Sequence, residues 1–113
     1  MSRNIIEIDG HKAVVTFDPE IGMLRGEFVG LNGGADFYAT SVDALHEEGR
    51  ISLRVFLEMC AERGIEPSRK FSGRFNVRLD AELHEAAVMA ARADDKSLNE
   101  WVIKAIQQAA KAA

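Results

Sequence analysis

The sequence predicts an α+β protein in two parts. Residues 1–66 form a small three-stranded antiparallel sheet with one helix, 67–73 a linker, and 74–113 a strand followed by two helices. Three observations predict this. Apolar and polar side chains alternate over 11–18, 23–31 and 74–79, the period of a strand with one covered face. Later segments instead repeat apolar residues every three or four positions, the period of a helix. Between them stand turn residues: Pro19 and Gly22, Gly33-Gly34, and Gly64 with Pro67.

Taken in order, His11–Asp18 sets Ala13, Val15 and Phe17 against Lys12, Val14 and Thr16. Met23–Leu31 follows, with Leu24, Gly26 and Phe28 on one face, and Ala35–Ala39 is the third strand. Ile5–Ile8 is a candidate for one more short strand. Ser41 or Thr40 can cap a helix from Val42 to about Arg63, with Val42, Leu45, Leu53, Phe56, Leu57 and Cys60 on its apolar stripe. Gly49 interrupts that helix at about 1 kcal/mol relative to alanine, which close approach of the helix to the sheet would explain. Asp80 suits the N-cap of a helix from Ala81 to about Ala93, whose inner face is Leu83, Ala87, Ala90 and Ala91. Ser97-Leu98-Asn99-Glu100 matches the S-x-x-E capping box and opens a last helix with Leu98, Trp101, Val102, Ala105, Ile106 and Ala109 on one stripe.

Charge divides the chain in the same place. Residues 1–66 carry six Lys/Arg against twelve Asp/Glu, and residues 67–113 carry eight against six. Four basic residues and no acid lie between Arg69 and Arg78. An acidic front half and a basic stretch behind it point to two partners of opposite charge.

The 74–79 strand places Arg74, Asn76 and Arg78 on one face and Phe75, Val77 and Leu79 on the other. Arginine and asparagine are the side chains that best read guanine and adenine edges in the major groove. A strand–helix–helix unit of this size cannot bury its own apolar stripe. A two-fold partner that pairs the strands would cover Phe75, Val77, Leu79, Leu83, Trp101, Val102 and Ile106 as the dimer core and turn the polar face outward as a groove-reading ribbon. The start of the last helix, with Ser97 as cap and backbone N–H groups at Leu98 and Asn99, suits a backbone phosphate. Lys70 and Lys96 complete the candidate DNA-binding set.

Arg74 through Leu79, the Leu83 helix, and Lys96-Ser97-Leu98-Asn99-Glu100-Trp101-Val102 closely resemble the ribbon-helix-helix repressor family. The front half resembles the HicB antitoxin family in Phe17-Asp18, Gly26-Glu27-Phe28-Val29-Gly30-Leu31-Asn32, Ser41-Val42, and Cys60 through Gly64 to Pro67. The resemblance covers nearly the whole chain. It implies a partial RNase H-like domain that neutralises a small RNA-cleaving HicA-type toxin, joined to a domain that represses the shared operon by binding double-stranded operator DNA. Two departures stand out: Asp36-Phe37-Tyr38-Ala39 replaces the family's usual Phe-Glu-Gly turn, and Gly49 breaks the helix early.

Catalysis is not expected. Asp9, Asp18, Glu20, Glu27 and Asp36 could in principle gather a nuclease metal, but turn chemistry and solvated strand faces account for each. His11, His46 and His84 lack metal-ligand spacing, no phosphate-binding glycine loop is present, and no cofactor is implied. Cys60 is the lone cysteine, on an apolar helix face, so no intrachain disulfide can form and an inert core thiol is expected. Without a signal-type apolar segment or a run of about 18 apolar residues, a cytoplasmic protein with no membrane contact is expected. The expected assembly is a homodimer through 74–113, extended to a tetramer if the front sheet adds a second two-fold contact. The rival reading is a stand-alone ribbon-helix-helix regulator whose α/β half senses a ligand or mediates oligomerisation. A neighbouring gene for a small basic protein separates the two.

Overall fold

The computed structural model describes residues 4–111. The described residues divide into two compact units, 4–72 and 73–111. Their elements in chain order are β1 (Ile5–Ile8), β2 (His11–Asp18), β3 (Met23–Phe28), β4 (Phe37–Ala39), α1 (Val42–Arg63), α2 (Ala81–Ala93) and α3 (Leu98–Lys111). The architecture is α+β, as expected, but the sheet has four strands in the order β1-β2-β3-β4, not three. The additional strand exists because Asp9 (φ 47°) and Gly10 (φ 84°) close a two-residue hairpin that sets Ile8 opposite His11.

The sheet is an antiparallel meander in which Ala13 faces Phe28, Val15 faces Gly26, and Gly26 faces Phe37. Its covered face supplies Ile8, Ala13, Phe28, Phe37 and Ala39 to one core, closed from above by Leu45, Leu53, Phe56 and Cys60 of α1. Phe28 and Phe37 meet with ring centroids 5.1 Å apart. The close fit depends on two glycines. A Cβ on Gly26 would strike the Phe37 ring, and one on Gly49 would strike both Ile8 and Phe37. Two residues expected on covered faces stay outside: Phe17 is 63% exposed and Val42 59% exposed, both near ends of their elements.

β3 stops at Phe28, short of the expected Leu31, because the chain then pairs elsewhere. Leu31 bridges Ser68, Asn32 N–H donates to the Pro67 carbonyl at 2.8 Å, and Arg69 N–H donates to the Gly30 carbonyl at 2.9 Å. β4 correspondingly begins at Phe37, not Ala35; Ser52 of α1 donates its hydroxyl to the Ala35 carbonyl at 3.0 Å and holds that loop against the helix. Arg25 of β3 grips Asp36 through Nε and Nη2, and this contact, first as a hydrogen bond and then as a charge pair, raises the Arg25 pKa.

The ends of α1 follow from local chemistry. Ser41 Oγ accepts from Ala44 N–H at 3.2 Å, and Gly64 ends the helix in the left-handed region at φ 65°. In the second unit Asp80 caps α2 by accepting from Leu83 N–H at 2.8 Å. That helix stops in a Schellman arrangement: Lys96 N–H donates to the Ala91 carbonyl at 2.9 Å and Asp95 N–H to Arg92 at 3.1 Å, with Asp95 itself at φ 55°.

Candidate nucleic-acid interface

Residues 73–111 place Arg74, Asn76 and Arg78 on the segment ahead of α2. All of 74–79 is exposed, and no strand is assigned there in the single chain. This corrects the expected strand in one respect: the side-chain alternation is present, but no strand ladder is assigned to it among the described residues. A ladder needs a second strand, and this unit contains none.

The apolar half of the segment is left open in the same way. Phe75 is 72% exposed, Val77 62% and Leu79 43%. With Leu83 of α2 and Trp101, Val102 and Ile106 of α3 they line an open groove of about 590 Å³, floored by Ala86, Ala87 and Ala90. Within this unit only Ala87 and Ala91 are buried, and α3 buries no residue at all. The small side chains of α2 permit close packing against α3. They cannot cover the large ones opposite. The seven expected dimer-core residues are therefore brought together, on a surface that a single copy leaves wet.

At the start of α3 Ser97 Oγ accepts from Glu100 N–H and donates to the Glu100 carboxylate, both at 3.1 Å. The capping box thus forms through the hydroxyl, and helix geometry leaves Leu98 and Asn99 N–H groups without intrahelical acceptors. Lys96 lies just before this cap, partly exposed. The like-charged Lys104 close by, then desolvation, holds its ammonium below the ordinary lysine pKa. Lys104 was not singled out in the sequence; its relation to Lys96 depends on the turn between α2 and α3, and periodicity carries no signal for that. Lys70, the remaining candidate, falls in the other unit.

Residues 56–106 match the HicB family model. The matched stretch holds the end of α1, the linker, the 74–79 segment, α2 and most of α3. All candidate DNA-contacting residues and all seven groove residues lie inside the HicB-like stretch; the four-stranded sheet lies outside it. Neither the curated proteins nor the solved structures give a significant match.

The front unit offers no competing chemical centre among the described residues. No group of three or more His, Cys, Asp or Glu is placed to hold a metal ion, and Cys60 is a buried free thiol. No helix of the described residues is long and apolar enough to cross a membrane.

Proposed function

We propose that this chain is a HicB-type antitoxin of a toxin–antitoxin pair. In this reading 74–113 is a ribbon-helix-helix domain that dimerises and binds operator DNA, and the front unit is a partial RNase H-like domain that binds and neutralises a small, basic, mRNA-cleaving HicA-type toxin. The observation that carries the reading is the open groove. Seven large apolar side chains converge on one face of a unit too small to cover them, beside a segment that alternates them with Arg74, Asn76 and Arg78. A second copy supplies the missing strand and the missing cover in one step. The outward residues then lie on a two-stranded ribbon of a width the major groove admits.

The match to the HicB family over the same residues supports this assignment. The acidic excess of 1–66 supports a basic partner for the front unit. The chain has no proposed catalytic role; it acts by occupying its partners.

The test is direct. The chain is co-expressed with the protein encoded beside its gene, and the purified complex is titrated against the DNA upstream of the pair. Co-purification, loss of the toxin's RNA cleavage and specific binding of that DNA are the expected results. A chain that binds the DNA but has no neighbouring toxin would instead be a stand-alone regulator.

A further inference from the structure

The outward face of α1 is unlike an ordinary solvated helix face. Ile51 is 38% exposed and Val55 59% exposed, one turn apart, although branched side chains bring no gain in helix propensity over alanine, lysine or glutamate. Glu48, Glu58 and Glu62 are exposed at helical spacings around them. Arg54 lies to one side, and Arg50 is engaged by Glu47 at 3.0 Å. Beside Val55 the helix and the Gly34–Asp36 loop enclose a groove of about 380 Å³, whose walls include Phe56 and Met59. At its edge the Asp36 carboxylate is already neutralised by Arg25.

The other broad surface of this unit, the solvent face of the sheet, is electrostatically mixed. Lys12 and Arg25 stand there among Glu7, Asp18 and Glu27, beside the exposed cross-strand pair Ile5 and Val14, and Arg25 approaches Glu27 at 3.7 Å. Both faces expose apolar side chains, but α1 adds an adjoining groove and the larger surplus of negative charge.

We propose that the basic toxin docks on this outward face of α1. Ile51 and Val55 are the apolar anchors, a partner side chain enters the groove between Val55 and the Gly34–Asp36 loop, and Glu48, Glu58 and Glu62 meet cations around the contact. The proposal rests on the antitoxin reading and gives it a surface. Burial at the centre supplies affinity, and the acidic rim supplies steering and choice of partner.

The experiment uses the full-length chain and the toxin encoded beside its gene, with affinity measured by calorimetry and neutralisation by RNA cleavage. Ile51→Lys, Val55→Lys and the pair Glu58→Lys with Glu62→Lys are compared with Val14→Lys on the sheet face, and circular dichroism and operator binding are followed in each. The expected result is a loss of toxin affinity of about 100-fold or more for each α1 variant, with operator binding intact and Val14→Lys within about threefold of wild type. A toxin that binds the α1 variants as tightly as wild type overturns the docking face while leaving the antitoxin reading standing. Loss confined to Val14→Lys moves the contact to the sheet. A wild-type chain that binds no toxin removes the reading itself, and the docking face with it. An α1 variant with altered circular dichroism is replaced by Ile51→Ala or Val55→Ser at the same position, and the same two outcomes then decide.

Discussion

Gly49 of α1 and Ile8 of β1 meet where no side chain can stand between them. A Cβ on Gly49 would overlap Ile8 Cδ1 and lie 3.0 Å from Phe37 Cε2. The helix is seated on the sheet at this point, and the residue poorest in helix propensity after proline is what allows it. Gly49→Ala should therefore destabilise the chain, against the gain of about 1 kcal/mol expected at an open helix site. Overpacking of this kind costs about 1–3 kcal/mol. Urea melts would show the midpoint falling, and the loss caused by Gly49→Ala should be smaller when it is measured in a chain that already carries Ile8→Ala. A rise in midpoint for the single variant would mean that α1 does not sit on β1.

Phe75 separates a single chain from a dimer. Its 72% exposure in one copy predicts that Phe75→Ala is a surface change worth less than about 0.5 kcal/mol. Burial in a two-fold core predicts about 3–5 kcal/mol. We expect the larger loss, together with a melting temperature that rises with protein concentration in the wild type and light scattering that reports a dimer or tetramer. A monomeric mass with a concentration-independent melt would defeat both the ribbon and the DNA-binding assignment.

Arg74→Ala, Asn76→Ala and Arg78→Ala should each weaken operator binding by about 1–3 kcal/mol and leave the melting temperature nearly unchanged. Lys96→Ala should act differently, weakening operator and unrelated DNA alike and reducing the salt dependence by about one charge. Fluorescence anisotropy at several salt concentrations reads both effects. Wild-type affinity in all three ribbon variants would show that the segment does not read DNA.

Asp95 stands in the left-handed region at φ 55° where α2 ends. Glycine holds that conformation without the penalty of about 1–2 kcal/mol that a Cβ brings. Asp95→Gly should raise the melting temperature, and Asp95→Val should lower it. Equal melts for the two would mean that the turn rearranges around either residue.

What could be read from the sequence was what depends on neighbours along the chain. Both α1 and α2 begin and end where expected because Ser41, Gly64 and Asp80 act on backbone groups a few residues away. β2 was equally legible. β1 was legible only faintly, although Asp9-Gly10 between two apolar-containing runs is a strong hairpin signal. The limits of β3 and β4 were not legible, since the first depends on Gly30 and Asn32 meeting Arg69 and Pro67, more than thirty residues on, and the second on Ser52 of α1 reaching the Ala35 carbonyl. For the candidate site, the alternation at 74–79 was plain, whereas its ladder calls for atoms of another molecule. The closeness of Lys96 and Lys104 had no pattern to announce it.

The wet surface of α3 has a consequence for how long each molecule lasts. If association completes the fold of the C-terminal unit, a solitary copy spends much of its time with that unit open, and opened chain is what proteases cut. Dilution would then act twice, emptying the DNA and shortening the lifetime of whatever copies remain. The number of molecules in the cell would set their rate of loss, and a falling supply would accelerate its own decline.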